Sequence, residues 1–176
     1  MIDLARTTAP AGEFSVGSVH DAAIRPSVAV TATGEVLNYA VDPRAGLEAL
    51  AAVADRAFHA LAPGGVFAFD ISTPGRNFGA DVRDVFHDRD TWSLGMHATE
   101  SDHRLDQRVV ILNREADGRY RRVDEEYHLV LYDVNAVTAV LESIGFAVDI
   151  RPSFTQATAS QPASGWSVFV ATKSTV

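Results

Sequence analysis

The stretch Leu61-Ala62-Pro63-Gly64-Gly65-Val66-Phe67-Ala68-Phe69-Asp70 decides the fold. A helical stripe ends at Leu61. Pro63-Gly64-Gly65 then predicts a turn, because proline cannot continue a helix and glycine tolerates positive φ. Val66 to Phe69 is apolar at every position, the pattern of a strand covered on both faces. Asp70 closes that strand. In open α/β sheets ligands sit beyond the carboxyl ends of the strands, so Asp70 is a candidate site residue.

Working back from this stretch, Leu47, Leu50, Ala51, Ala54, Ala57, Phe58 and Leu61 recur at spacings of three and four, one face of a helix. Asp42-Pro43 predicts its start, a capping residue followed by proline at the first helical position. Before it, Ser27 to Thr33 is rich in β-branched residues and reads as a strand that stops at Gly34. Strand, loop, helix and strand from Ser27 to Asp70 predict two buried parallel strands joined by a right-handed crossover. Further back, Ile2 to Arg6 is helix-like and short. Pro10-Ala11-Gly12 breaks it, Phe14 to Gly17 reads as a short strand, and Ser18-Val19-His20-Asp21 follows as a loop.

Beyond Asp70, Ile71 to Asp90 reads as loop. From Thr91 the period changes to two. Arg108 to Asn113 is a strand, Asp117-Gly118 a hairpin turn, and Arg119 to Tyr132 a long return strand. Along that strand Val123, Tyr127, Leu129 and Leu131 point one way. Arg122, Asp124, Glu126, His128 and Tyr132 point the other, which predicts an antiparallel sheet with one wet face. Asp133 caps a second helix that ends at Gly145, Phe146 to Arg151 is a strand, Thr155 to Ser164 a polar loop, and Gly165 to Thr172 the last strand. The expected fold class is α/β: a mostly parallel sheet with helices, plus an antiparallel extension over residues 91–132 on the substrate side, all in one domain of residues 1–176.

Composition narrows the function. At 47% hydrophobic and 22% charged, 176 residues make a globular chain with a sizeable core. A net charge of −8 is ill suited to collecting phosphates, so no nucleic-acid partner is expected. With no cysteine, disulfides, zinc-thiolate sites and cysteine nucleophiles are excluded. No apolar run approaches the ~18 residues of a membrane helix, and Met1 to Arg6 has no signal-peptide core, so a cytoplasmic location without membrane contact is expected. His87, Asp88, Asp90, His97, Asp102 and His103 follow no metal-binding spacing, so no metal is expected. Ser72 and Ser93 lack the context of a hydrolase nucleophile.

Gly34-Glu35-Val36-Leu37-Asn38-Tyr39 followed by Leu61 to Asp70 resembles class I S-adenosylmethionine-dependent methyltransferases of small molecules. Glu126-Tyr127-His128, Tyr132-Asp133, Gly145-Phe146 and the Trp166 strand continue the likeness across the chain. Such enzymes begin with a strand, a Gly-x-Gly-x-Gly loop, a helix and a strand ending in an acid. Here Ile2 to Arg6 resembles the helix just after that acid. The expectation is an incomplete Rossmann-like sheet whose first βαβ unit, some thirty or more residues, is missing. The strand Ser27 to Thr33 then has an unpaired edge, to be filled by the Phe14 strand or by a second copy in a homodimer.

The resemblance implies S-adenosylmethionine as cofactor and a small-molecule hydroxyl or amine as acceptor. It places Ser18 and Val19 beside the adenine, and Ala32, Thr33 and Gly34 at the methionine end. Asn38 and Tyr39 are candidates for the acceptor pocket, with core packing as their alternative role. Asp70 is a candidate for substrate binding or loop organisation, or for the Ser72-Thr73-Pro74-Gly75 turn. Glu126 and His128 stand two apart on one strand face, where a carboxylate can orient an imidazole as general base; a cross-strand ion pair is the other reading. A methyltransferase-like protein that binds no cofactor, acting as a binding protein or a cofactor-independent enzyme, is the alternative function.

Overall fold

Residues 2–78, 80–155 and 165–175 are described by a computed structural model. The elements in chain order are α1 (Ile2–Thr8), β1 (Ser27–Ala32), α2 (Leu47–Ala60), β2 (Leu61–Ser72), β3 (Val82–Asp88), β4 (Trp92–Ser101), β5 (Arg104–Arg114), β6 (Tyr120–Val130), α3 (Val134–Ile144), β7 (Phe146–Arg151) and β8 (Trp166–Lys173). They form two four-stranded sheets, β1-β2-β8-β7 and β3-β4-β5-β6.

In the first sheet β1 and β2 are parallel, and β8 runs antiparallel to both β2 and β7. Three of its four strands therefore share one direction. Phe67, Phe69 and Ile71 point to the face on which α2 and α3 pack, with Phe169 stacked 5.1 Å from Phe69 and Phe58 edge-on to Phe146. That face is the main core. The other face presents Ala29, Thr31, Val66, Ala68 and Val170, all exposed or half-exposed. The expected burial on both sides is thus corrected for β1, whose second face is exposed, while the second face of β2 is half-buried at Val66 and Ala68 and buried at Asp70 and Ser72. Both long helices lie on one side, and β1 keeps Val28 78% exposed at the sheet edge.

The turn read at Pro63-Gly64-Gly65 is present, but inside β2. Leu61 faces Ser27 and Val66 faces Ala29, so four residues of β2 bulge out against one of β1. Gly64 takes φ 76°, which suits glycine. A Cβ on Gly65 would lie 2.8 Å from the Ala62 carbonyl oxygen and 3.0 Å from that of Val28, so no larger residue fits there. The helix before it starts four residues later than Asp42-Pro43 predicts, with Gly46 in the capping position. Asp42 instead folds a tight turn, its carboxylate accepting from the Arg44 amide at 3.0 Å and its carbonyl from Ala45 at 3.0 Å.

Two further expectations change. Phe14 to Gly17 is not a strand, and among the described residues no strand pairs with the outer edge of β1. The antiparallel sheet begins at Val82, not Thr91, because β3 pairs with β4 across Val82↔Thr99 to Asp88↔Ser93. Its Val-Arg-Asp-Val-Phe-His-Asp sequence lacks the alternation that marks a half-buried strand, and all but Arg83 and Val85 are exposed. The α3 reading holds: the Asp133 carboxylate accepts from the Ala136 amide at 2.8 Å, and Gly145 ends the helix at φ 111°. The polar loop expected from Thr155 lies, from residue 156 on, outside the described residues.

Candidate functional site

The carboxyl ends of β1 and β2 meet at Asp70. Gly34 and Glu35 both adopt left-handed φ, 81° and 59°, so their successive amides converge on one anion. That anion is Asp70, which accepts from Gly34 at 2.8 Å, Glu35 at 3.1 Å and the Trp166 indole at 3.1 Å. It is 3% exposed. Of its expected roles, loop organisation is the one the geometry provides. The Ser72-Thr73-Pro74-Gly75 turn is held by a different acid: Glu100 of β4 accepts from the Gly75 amide at 2.6 Å and the Asn77 amide at 2.7 Å. Across the same end of the sheet, Arg76 pairs with Glu35 at 2.8 Å.

Asn38 is fully buried and fully bonded. Its amide donates to the carbonyls of Ser72 at 2.9 Å and Val130 at 2.6 Å, and its oxygen accepts from the Ser72 amide at 3.0 Å. Leu37 lends its carbonyl to the Tyr132 hydroxyl at 2.9 Å. Tyr39 then forms a single antiparallel bridge with Leu129. The segment 37–40 is therefore the staple between the two sheets, and the packing role of Asn38 prevails over contact with an acceptor. Tyr39 differs: it is half-buried, its ring centre lies 6.0 Å from that of Tyr127, and it reaches a cavity. Burial, reinforced by nearby carboxylates, pushes its phenol above its ordinary value.

That cavity encloses about 660 Å³. Gly17, Ser18, Val19 and His20 form one wall, and Val36, Tyr39 and Val41 to Arg44 the other. The walls are clasped by charge. Arg44 donates two bonds to Asp21, each 2.8 Å, and further bonds to Asp42, while the Ser18 hydroxyl donates to Asp42 at 2.8 Å. The Arg44 guanidinium and amide, followed by the Ser18 hydroxyl, hold the Asp42 carboxyl well below the usual carboxylate range. From below, Arg56 of α2 donates to the Val19 carbonyl at 2.9 Å. Ser18, Val19 and Tyr39 are thus brought together. Ala32, Thr33 and Gly34 are at the end of β1, outside the lining of this cavity, with the Gly34 amide committed to Asp70.

Glu126 and His128 are placed elsewhere. Tyr127 and Leu129 meet Tyr39, so strand alternation sends Glu126 and His128 to the opposite, outer face of β3-β4-β5-β6. Both are exposed, and they line a separate depression of about 330 Å³. His128 Nδ1 lies 2.6 Å from an Asp106 oxygen, and Arg108 is the cross-strand partner of Glu126. The cross-strand ion-pair reading fits the His128 geometry, and Glu126 and His128 line this one depression together, apart from the cavity that Tyr39 reaches.

Sequence reasoning missed Glu100, the Asp21–Arg44–Asp42 clasp and Glu125. Glu100 with its Gly75 and Asn77 amides, and Arg44 with Asp21, join residues more than twenty apart in the chain and leave no local signal. Glu125 did leave one, an acid among the inward-facing Val123, Tyr127 and Leu129.

No protein-family model and no curated protein matches this chain. Solved structures do. Over 98% of its length the chain is similar to an S-adenosylmethionine-dependent methyltransferase from Clostridium acetobutylicum ATCC 824, with a TM-score of 0.84 and 16% identity, covering 71% of that chain. It is similar over 98% to DesVI of Streptomyces venezuelae, with a TM-score of 0.74 and 17% identity over 70% of that chain. CalS10, an amino pentose methyltransferase from Micromonospora echinaspora, gives a TM-score of 0.70 and 17% identity, with 98% and 70% coverage. The chain has the fold of class I S-adenosylmethionine-dependent methyltransferases of small molecules.

Proposed function

We propose that this protein transfers a methyl group from S-adenosylmethionine to a hydroxyl or amine of a small molecule. The observation that carries the reading is the 660 Å³ cavity between the 17–20 segment and the 36–44 segment that follows β1, on a fold shared with such enzymes. Its residues suit the cofactor's adenosine. Val19 and Val36 offer apolar surface for a flat base, and Ser18 and Asp42 offer oxygens at the wall. In this reading Ser18 and Val19 hold the adenine, and Ala32, Thr33 and Gly34 meet the methionine end. When bound, the cofactor's sulfonium supplies an electrophilic methyl group. The protein's own part is alignment. The Asp21–Arg44–Asp42 clasp fixes the two walls, and Asp70 fixes the loop after β1.

A second reading rests on one sequence observation: no Gly-x-Gly-x-Gly loop occurs in the 176 residues. A protein that cradles no cofactor would use the same cavity to bind another ligand. Calorimetric titration with S-adenosylmethionine separates the two. Dissociation constants in the micromolar range support methyl transfer, and weakening by Val19→Asp places the site. A folded protein that takes up no S-adenosylmethionine overturns it in favour of the binding protein.

We further propose that two copies pair through the free edge of β1 and that the protein works in the cytoplasm. The edge is supported by the exposed Val28 and the unpaired strand. Among the described residues no helix is long and apolar enough to cross a membrane.

A further inference from the structure

We propose that Glu125, Tyr127 and Tyr39 form a binding site for the amine group of a small molecule, which makes nitrogen the acceptor atom; this rests on the methyl-transfer reading above. On β6 the residues Val123, Glu125, Tyr127 and Leu129 point toward the first sheet, on the same face as Ile111, Val109 and Met96 of the neighbouring strands. Glu125 is directly opposite Val109, which is opposite Met96, which is opposite Val85. It is the one carboxylate in an apolar row. Half-buried carboxylates of this kind need a positive partner or several donors.

Glu125 has neither. Its single hydrogen bond among the described residues comes from the Tyr127 hydroxyl, which engages one oxygen. Of the cations nearest in sequence, Arg122 is on the opposite face and pairs with Asp124, and Arg121, four residues back on the same face, lies 3.8 Å from Glu115. Arg83, which shares the face, lies over the Phe78 ring at 4.1 Å. Among the described residues no ion pair reaches Glu125, and the bond from Tyr127 pushes that phenol up to about 12, keeping it a donor at neutral pH.

The two tyrosine rings complete the arrangement. They stand 6.0 Å apart and inclined at 56°, offering π faces beside the carboxylate, and Tyr39 joins them to the cavity. A carboxylate flanked by aromatic rings on an apolar wall binds an alkylammonium through charge and cation–π attraction, and gains nothing comparable from an alcohol. An ammonium has no lone pair for attack on a methyl group. The attacking species is the neutral amine, formed by loss of a proton to solvent, and the Glu125 carboxylate holds it by accepting an N–H hydrogen bond.

The test compares cyclohexylamine with cyclohexanol by NMR shift titration at pH 7, without S-adenosylmethionine. The amine is expected to bind at least tenfold more tightly. Glu125→Gln should remove that preference and leave cyclohexanol unchanged. Tyr127→Phe, which frees the carboxylate and keeps the ring, should bind the amine as well as the parent or better. Equal affinity for amine and alcohol overturns the proposal, as does a Glu125→Gln protein, folded by its spectrum, that keeps the preference. A loss in Tyr127→Phe equal to that in Glu125→Gln also overturns it, because the carboxylate would then serve only to orient the phenol. Amine binding in a protein that takes up no S-adenosylmethionine keeps the site and discards methyl transfer.

Discussion

Single residues in this chain divide into those that hold the site and those free to meet a ligand, and hydrogen-bond saturation tells them apart. Asp70 and Asn38 look like site residues in sequence, polar groups just beyond strand ends. Each is buried with its bonding groups engaged by the chain itself. Tyr39, next to Asn38, reaches the cavity. One residue between them separates scaffold from surface, and a sequence cannot show that, because both partners of Asn38 are far along the chain. Tyr132 belongs to the scaffold. Burial pushes its phenol up to about 12, while in the unfolded chain a tyrosine titrates near ~10. The folded state therefore holds the proton more tightly. The stabilisation is complete below pH ~10 and is lost as pH rises from ~10 to ~12. Tyr132→Phe, lacking the bond to Leu37, should lose about 1 kcal/mol at pH 7 and show a shallower fall in stability across that window. Urea unfolding at pH 7, 9 and 11 measures both; an unchanged slope would show that Tyr132 does not carry the titration.

At the scale of elements, those with strong local signals matched their reading. The Asp133 cap, the α3 stripe, the Gly145 stop and the strand Phe146–Arg151 each express one local rule, and tertiary contacts did not contradict it. Two elements misled. Asp42-Pro43 obeys helix-start chemistry, but Arg44 and Ser18 recruit Asp42 as a clasp, so the helix begins later. Pro63-Gly64-Gly65 was legible as a turn but not as a bulge, since a bulge is defined by the partner strand. The bulge gives a prediction. Gly65 is hemmed in by the Ala62 and Val28 carbonyls, and backbone oxygens cannot swing aside as side chains do. Gly65→Ala should destabilise the protein by roughly 1–3 kcal/mol, because β1 and β2 must move apart where they enter the sheet. Gly17→Ala, where a Cβ meets nothing within 4 Å, is the control and should cost little. Thermal melts of the two variants decide it, and equal melting temperatures would remove the tight register from the account of β2.

For the molecule as a whole, the α/β class and the two-part layout were legible from periodicity, 3.6 in the helices and 2 after Thr91. What covers each surface was not, because burial belongs to contacts and not to segments. Val66 to Phe69 is apolar at every position, which reads as two covered faces, yet α2 and α3 both pack on the Phe67 and Phe69 side. The opposite face is exposed at Ala29 and Thr31, half-buried at Val66 and Ala68 and buried at Asp70 and Val168, so it opens toward the β1 edge. A strand edge without a partner among the described residues and carrying an exposed valine is a surface that pairs with another strand, and a second copy supplies an identical one. Sedimentation of the protein as it exists should therefore show a monomer–dimer equilibrium that shifts with concentration. Val28→Lys places a charge on that edge and touches no core residue, so it should leave the melting temperature of the monomer within a few degrees and move the equilibrium to monomer at least tenfold. Salt at 0.5 M should not restore the wild-type dimer fully, because the dimer is held by backbone pairing and apolar contact and not by ion pairs alone. Monomer at every concentration, in both proteins, would mean that the β1 edge is not joined to a second copy.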